Sequence, residues 1–148
     1  MVTYNKFNAF VEHLMNKALD LFGSPIGDSL KVTLHAAASA PVATNSLLGD
    51  LTQIANGNGY TTGGTVVPDI NATRTNGTVT LTGDAVVFTA SGAAMGTFRY
   101  YALHDDTATN DPLIAWWDHG SDVTLNPGDT FTINFNNDAT DGTIFTIA

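Results

Sequence analysis

The sequence predicts a mainly β protein, an antiparallel sandwich or barrel of short strands that follows an amphipathic N-terminal helix. From residue 65 onward, segments rich in Thr, Val, Ile and Phe alternate with Gly, Pro and Asn, as strands alternate with tight turns. The polar residues are mostly Thr, Asn, Ser and Gly, which suit exposed strands and turns. Many short strands of this kind favour a sandwich or barrel over a parallel α/β fold.

Apolar residues recur with helical spacing at the start of the chain. The series follows the i, i+3, i+4, i+7 rhythm of an amphipathic helix and comprises Phe7, Phe10, Val11, Leu14, Met15, Ala18, Leu19 and Phe22. Thr3 or Asn5 can cap the start, and the Gly-Ser-Pro sequence at residues 23–25 supplies a stop. We therefore expect a helix over residues 4–22. Its broad apolar face either covers an open end of the sheet domain or docks on a neighbouring subunit.

One strand and a second short helix are predicted before residue 65. Leu30, Val32 and Leu34 alternate with polar residues, which is the pattern of a half-buried strand. Asn45 or Ser46 can cap a short helix near residues 46–55, and the glycines that follow end it. The glycine-rich loop over residues 56–64 has neither a Walker nor a dinucleotide-binding motif. We interpret it as a tight or flexible loop, or as a contact loop in which glycine lets another backbone approach.

Turn signals divide the rest of the chain into candidate strands. They cover residues 65–67, 71–75, 78–82, 85–90, 97–104, 113–118, 130–136 and 143–147. The Asn76-Gly77 dipeptide is the strongest hairpin signal, and the Pro-Gly turn over residues 126–129 precedes an alternating strand. Because the sequence has no fixed-period repeat and no linker, we expect a single domain over residues 1–148, with the β-sandwich spanning residues 29–148.

The net charge of −9 excludes nucleic acid as a direct partner. Five scattered cations stand among fourteen acidic residues, whereas phosphate binding needs clustered Lys and Arg. Charged residues make up 13% of the chain, against about 25% in ordinary soluble proteins. Because hydroxyls and amides are easier to bury than Lys or Glu, this composition suits a protein that works against other protein surfaces.

The chain contains no cysteine, so disulfides, thiolate catalysis and cysteine-based metal sites are excluded. Its apolar stretches are far too short for a membrane span, and its first residues lack the continuous apolar block of a signal peptide. We therefore expect a protein that is made in a cytoplasm and has no membrane partner.

Oxygen-rich clusters occur at Asp105, Asp106, Asn110 and Asp111, and again over residues 136–141. Calcium binds loops of this kind, but neither cluster has the spacing of an EF-hand or its closing glutamate. We favour structural turns between strands as their role. The histidines lie too far apart in sequence to predict a zinc site. They are His13, His35, His104 and His119.

Catalytic constellations are weak. His104-Asp105 and Asp118-His119 are suggestive pairs and Ser121 lies near the second, but no Gly-x-Ser-x-Gly nucleophile turn occurs. A glycosidase pair of carboxylates is disfavoured because the only glutamate of the chain lies on the predicted helix. We expect no enzymatic activity, no cofactor and no metal.

Two aromatic pairs, Tyr100-Tyr101 and Trp116-Trp117, lie on predicted strands, where consecutive side chains face opposite sides. One tryptophan of the pair should lie in the core, and the other is exposed unless a subunit interface or a ligand covers it. Exposed aromatic side chains bind sugars or anchor oligomers. Since no carboxylate motif accompanies these residues, we favour an oligomer.

Segments across most of the chain resemble small virion proteins of tailed bacteriophages. They are Tyr4-Asn5-Lys6-Phe7-Asn8-Ala9-Phe10-Val11, the loop Ile54-Ala55-Asn56-Gly57-Asn58-Gly59-Tyr60-Thr61, and the run from Phe98-Arg99-Tyr100-Tyr101 through Asp111-Pro112-Leu113-Ile114-Ala115-Trp116-Trp117-Asp118. Within that group, the chain looks most like a capsid decoration, or cement, protein. The resemblance implies a jelly-roll-like β-sandwich on the capsid surface that assembles as dimers or trimers, without a cofactor or catalytic residue.

The expected function is to bridge neighbouring subunits of the major capsid protein and so stabilise the head of a particle assembled in a bacterial host cytoplasm. Packing of the helix within the subunit is an equal alternative to its use as a contact. The competing hypothesis is a tail- or fibre-associated module that is structural or binds a carbohydrate or receptor. The candidate contact residues are Phe7, Phe10, Val11, Leu14 and one of Trp116 or Trp117.

Overall fold

The computed structural model describes residues 3–24, 26–136 and 138–148 and confirms a mainly β fold with antiparallel pairing. The strands are β1 Tyr4–Lys6, β2 Leu30–His35, β3 Thr65–Val66, β4 Asn71–Thr75, β5 Thr78–Gly83, β6 Val86–Thr89, β7 Phe98–Asp105, β8 Leu113–Val123, β9 Thr130–Ile133 and β10 Gly142–Ile147. One α-helix, α1, spans Ala9–Met15, and single 3-10 turns lie at Ala37–Ser39 and Leu48–Asp50. No helix among the described residues is long and apolar enough to cross a membrane.

The strands form three sheets, and their spatial order departs from the order of the chain. The largest sheet has the order β1-β8-β7-β2-β3, the second β10-β5-β4, and the third pairs β6 with β9. The first strand therefore pairs with the eighth, and the last strand pairs with the fifth. These long-range pairings bring the two ends of the chain to the same region of the molecule, where β1 and β10 side chains line one pocket.

The prediction of a helix over residues 4–22 is wrong in its extent. Residues 4–6 form β1 instead, because the edge of β8 offers backbone partners in a register that sets Tyr4 opposite Trp117. Helix α1 ends after two turns in a Schellman pattern, in which Lys17 N–H donates to the Leu14 carbonyl and Ala18 N–H donates to the His13 carbonyl. Lys17 takes the left-handed conformation that glycine usually supplies, with φ of 58°. The sequence signal for this end was therefore weak.

The prediction of a second helix near residues 46–55 is also wrong, since the structure has only a 3-10 turn there, at Leu48–Asp50. The carboxylate of Asp50 accepts the N–H groups of Ser46 at 2.8 Å and Leu47 at 3.0 Å, which closes a tight turn. The chain then extends, since Ile54 N–H donates to the Leu34 carbonyl of β2. Backbone pairing with the sheet thus replaces the intrahelical hydrogen bonds that the apolar spacing suggested.

The turn predictions of the second half are confirmed. Asn76 and Gly77 both have positive φ, 49° and 88°, and join β4 to β5 as a two-residue hairpin loop. The turn at residues 126–129 closes through a 2.9 Å hydrogen bond from Asp129 N–H to the Asn126 carbonyl and leads into β9. Predicted strands 97–104 and 143–147 match β7 and β10 to within one residue, while strand 113–118 continues as β8 to Val123.

The main core takes side chains from all three sheets, and a smaller cluster lies on the other face of the five-stranded sheet. Leu34 of β2, Leu81 of β5 and Phe88 of β6 belong to the main core. The smaller cluster consists of Phe7, Leu48 and Leu113, with Leu51 and Trp116 packed against it. Both faces of the five-stranded sheet are therefore covered, the second by residues of the 36–64 segment.

The glycine-rich loop allows a close backbone approach within the chain itself. A Cβ atom at Gly64, where φ is +82°, would overlap the Val32 carbonyl of β2, and one at Gly59 would overlap the Thr89 carbonyl that ends β6. The interpretation of these glycines as a means of close approach is therefore confirmed for the chain's own backbone. The loop therefore lies directly against β2 and against the end of β6.

We predict that Gly64→Ala destabilises the fold much more than Gly77→Ala does. Both glycines have positive φ, which costs an alanine about 1–2 kcal/mol, but a Cβ at Gly77 would meet nothing within 4 Å. At Gly64 the overlap with the Val32 carbonyl adds a packing cost of about 1–3 kcal/mol. Urea unfolding of the two variants measures the difference. Equal losses of stability would show that the loop can move away from β2 at little cost.

Candidate functional sites

The structure separates the predicted contact residues into interior and surface positions. Phe7 is fully buried with its ring 4.5 Å from that of Trp116, and Phe10 packs against Phe145 with ring centroids 5.2 Å apart. Trp117 is buried and stacks on Tyr101 at 5.4 Å. These residues pack within the subunit, which was the stated alternative for the helix.

Val11, Leu14 and Trp116 remain at least partly accessible. The two tryptophans face opposite sides of β8 as predicted, since Trp117 joins the main core and Trp116 packs against the smaller cluster. The ring of Phe7 packs against that of Trp116. Neither tryptophan is thus freely exposed, whereas Val11 on the helix is 46% exposed.

An apolar patch lies where helix α1 and the segment after it meet the C-terminal strand. We define it by Val11, Leu14, Met15, Phe22 and Ile147. Met15 is 78% exposed, Phe22 59%, Val11 46% and Ile147 43%. The spacing of Val11, Leu14 and Met15 sets them on one face of α1, and Leu14, Phe22 and Ile147 line a common groove of about 260 Å³. Asp20 is the one charged residue among the described residues that line this groove.

A larger pocket, of about 660 Å³, opens beside the N-terminal strand. Its aromatic wall is built by strand pairing, because Tyr4 of β1 and Tyr101 of β7 both stand opposite Trp117 of β8. Tyr4 meets Trp117 edge to face at 5.8 Å, while Tyr101 stacks on it from the other side. The other lining residues include Phe10, Phe135, Phe145, Asn134, Asn136, Thr143, Thr146 and Lys6. We call this the aromatic pocket.

The aromatic pocket combines flat apolar surfaces with neutral hydrogen-bonding groups. Burial raises the pKa of Tyr4 and of Tyr101 to about 12, so that both phenols stay protonated at neutral pH. Asn134 and Asn136 contribute amides to the lining, and Lys6 is the one charge among the described lining residues. Such a lining suits a neutral, polyhydroxylated ligand better than an anion or a cation.

The suggestive histidine–aspartate pairs do not form a triad in the described part of the chain. Asp118 receives two hydrogen bonds from Arg99, at 2.8 and 2.9 Å, and the Arg99 hydrogen bond is the main cause that holds the pKa of Asp118 below its usual range. His119 packs its ring edge to face on Phe131 at 5.3 Å. Ser121, in the exposed part of β8, makes no hydrogen bond to a histidine there. The arrangement fits a surface ion pair between β7 and β8.

The oxygen-rich clusters serve turns, as predicted. Asp105 Oδ1 accepts the N–H groups of Thr107 at 2.8 Å and Ala108 at 3.0 Å. In the second cluster, Asp138 accepts the N–H of Thr140 at 3.2 Å, while Asn137 lies outside the described residues.

In the first cluster, two neighbouring residues have shifted pKa values. Burial, and secondly the Asp28 carboxyl, raises the pKa of Asp105 to about 7, and burial lowers the pKa of His104 to about 4.

We predict that Asp105→Asn stabilises the fold increasingly as the pH rises from about 4 to 7. Because its pKa is raised in the folded state above the ordinary 3.8, Asp105 makes a contribution that is lost as the pH rises through this window. Asparagine keeps the acceptor for Thr107 and Ala108 but carries no charge. We expect near-equal stability at pH 4 and a gain on the order of 1–3 kcal/mol at pH 8.

Urea unfolding across this pH range checks the prediction, with Asp122→Asn as a control that removes an exposed carboxylate. The lowered pKa of His104 has the opposite sign, since its contribution is present above pH 6.5 and is lost as the pH falls toward 4. In Asp105→Asn only the His104 contribution remains, so the free energy of unfolding should rise with pH in this window. In the wild type the two contributions oppose each other, so its free energy of unfolding should change less with pH. A variant that is less stable than the wild type at pH 8 would contradict the prediction.

Comparison of the chain with protein-family models, with curated proteins and with solved structures finds no match. The apolar patch and the aromatic pocket are therefore interpreted from their own geometry and chemistry.

Proposed function

We propose that the chain is a structural protein of a tailed-bacteriophage virion, a capsid decoration protein that binds the lattice of the major capsid protein and stabilises the head. The observation that carries the proposal is the apolar patch on α1 and β10. The resemblance of several sequence segments to small virion proteins of tailed bacteriophages indicates the class of partner. No catalytic residue takes part in this function.

The apolar patch supports a role in assembly because its side chains gain by leaving water. Each square ångström of apolar surface that is buried contributes about 25 cal/mol, so Met15 and Phe22 together could contribute a few kcal/mol to binding. Contiguous exposed apolar surface of this kind marks sites of protein–protein contact. The groove beside Phe22 offers a matching recess for an apolar side chain of the capsid subunit.

The charge composition supports the same role. With 13% charged residues, most of the surface can be desolvated against a neighbour without stranding an ion. Repeated copies on a lattice need only modest individual contacts, since each further contact of a dimer or trimer raises the effective affinity of the whole. We propose such a homo-oligomer, with attachment at the joints between capsid subunits.

The fold that we propose for this function is a jelly-roll-like β-sandwich. The five-stranded sheet and the β10-β5-β4 sheet share the main core, to which the β6-β9 pair also contributes. The non-sequential strand order, in which β1 joins β8 and β10 joins β5, is compatible with a sandwich whose strands cross between layers.

We predict that the double variant Met15→Ser, Phe22→Ser loses capsid binding while it stays folded. Both side chains are mostly exposed, so serine removes apolar contact area from the surface rather than from the core. The affinity for purified particles should fall at least about tenfold, which corresponds to 1.4 kcal/mol; it is measured by adding the chain over a range of concentrations and following its occupancy by cryo-electron microscopy and quantitative mass spectrometry. The matched control is Val87→Ser, which changes an apolar residue of 48% exposure on β6.

Density for the wild-type chain on the shell, lost in the double variant and kept in the control, is the expected result. Density at the tail or fibre instead would reject decoration in favour of the second function below. Absence of the chain from purified particles would reject both.

The aromatic pocket favours a second candidate, a carbohydrate- or receptor-binding module of a tail or fibre. Its volume of about 660 Å³ lies within the range of small-molecule sites. A sugar ring could pack on the half-buried ring of Tyr4, while Asn134 and Asn136 bind its hydroxyls.

If this second function holds, Asn134→Ala should weaken sugar binding at least about tenfold, since a buried ligand hydroxyl then loses its partner. A glycan array with and without calcium, followed by titration of any hit, provides the measurement. Asn126→Ala serves as a control, because Asn126 is an exposed turn residue outside the pocket. A binding signal that survives Asn134→Ala and Asn136→Ala would place the sugar elsewhere.

A further inference from the structure

The loop that joins β7 to β8 brings together three side chains with metal-ligating atoms. His104 is the penultimate residue of β7, Asp106 follows it by two residues, and Asp111 ends the loop two residues before β8. One ring nitrogen of His104 and one carboxylate oxygen of each aspartate lie within 4.8 Å of one another. Within this group His104 is buried, Asp111 is half-buried and Asp106 is exposed.

His104 lacks the partners that a buried imidazole normally has. It is fully buried, and neither ring nitrogen makes a hydrogen bond within the described part of the chain. An unpaired buried polar atom costs about 1–3 kcal/mol, and native structures contain few of them. His35, on the neighbouring strand β2, shows the usual solution. It is equally buried, and its two ring nitrogens lie 2.8 Å from Thr33 Oγ1 and 2.8 Å from the Thr52 carbonyl.

We propose that His104, Asp106 and Asp111 bind a divalent transition-metal ion, with Zn²⁺ as the preferred class. An imidazole nitrogen with two carboxylate oxygens is a donor set for zinc, whereas calcium and magnesium take oxygen ligands. Ligand atoms at a tetrahedral zinc ion stand about 3.3–3.5 Å apart, so side-chain rotations that move the ligand atoms by up to about 1.5 Å suffice to close the site. Three protein ligands leave the fourth tetrahedral position to water or to a group from a partner.

The backbone of the loop is held in place before any ion binds. Asp106 N–H donates to the Ser29 carbonyl at 2.9 Å, and the Asp111 carbonyl accepts the N–H of Leu48 at 2.9 Å. Asp111 has a positive φ of 50°, a conformation that aspartate and asparagine tolerate. Both carboxylates are therefore anchored at their Cα atoms, and only their side chains need to turn toward His104.

Lys31 allows a test in which one substitution should strengthen metal binding and another should weaken it. Its Nζ lies 2.7 Å from Asp106 Oδ2, and in the strand register Lys31 stands opposite His104. The ammonium group thus forms an ion pair with one carboxylate oxygen of Asp106 and repels an incoming cation. Removing this charge should strengthen metal binding, whereas removing a ligand should weaken it.

The test is isothermal titration calorimetry of the full chain with ZnCl₂ after treatment with a chelator. We expect one saturable equivalent in the wild type, at least about tenfold weaker binding in Asp111→Asn, and tighter binding in Lys31→Gln. Asparagine at position 111 tolerates the positive φ, so the loop should keep its shape. Asp122→Asn is the matched control, since it removes the same charge from an exposed site outside the cluster and should leave zinc affinity unchanged.

Ring ¹⁵N shifts of the histidines provide a readout that does not depend on a variant of buried His104. Zinc should shift the His104 nitrogens and leave those of His119, about 20 Å away along β8, unmoved. The proposal fails if the wild type shows no saturable zinc binding, if Asp111→Asn and Asp122→Asn weaken binding equally, or if His104 does not respond. Binding of Ca²⁺ in place of Zn²⁺ would also overturn it. None of these outcomes bears on the virion role, which the particle measurements test separately.

Discussion

The pairing of β7 with β8, and the bulge near its loop, positions both the aromatic pocket and the histidine–aspartate group. Trp117 stands opposite Tyr101, and Trp116 opposite Ala102, so that the two tryptophans face different layers. Nearer the loop the register shifts, because Leu103 pairs with Ala115 while His104 pairs with Leu113. The bulged residue, Ile114, therefore turns into the main core together with its neighbour Ala115.

The bulge has direct consequences for the second face of the sheet. Without it, Leu113 and Trp116 would point to opposite sides, since they are three residues apart on one strand. With it, both face the smaller cluster with Phe7, and the loop that precedes β8 brings Asp111 next to His104. The aromatic pocket on one face and the histidine–aspartate group near the other thus depend on the same pair of strands.

Local patterns predicted the strands well and the first helix poorly. Hairpin chemistry at Asn76-Gly77 is set by two residues with positive φ, and the sequence contains that information. The rhythm from Phe7 to Phe22 contains less, because extended chain can also bury Leu19 and Leu21 in the main core. Strand β1 depends on a partner edge in β8 that lies more than a hundred residues away, and no local pattern reports such a partner.

The sequence analysis did not bring His104 together with the acidic loop, because it treated each residue type separately. The acidic loop was weighed for calcium and the histidines for zinc, each on its own spacing, although His104 and Asp106 are only two residues apart. The alternation of a strand places residues i and i+2 on one side, which was an available signal. The approach of Asp111 was not available, because it depends on the bulge and on the hydrogen bonds that fix the loop. Similarly, the sequence predicted that Trp116 and Trp117 face opposite sides of their strand, but it did not show which of them faces the main core.

The sheet edges constrain how this chain can assemble. An exposed edge strand invites pairing with another chain, and short edges limit this. The edges of the five-stranded sheet are β1, with three residues, and β3, with two. Strand β4 ends in exposed polar positions, including Arg74. The three-stranded sheet has longer edges, β10 with six residues and β4 with five, so short edges limit strand addition chiefly at the five-stranded sheet. The contact proposed at the apolar patch does not require strand addition, since Met15 and Phe22 lie outside the strands, where a partner would cover them without disturbing any backbone pairing.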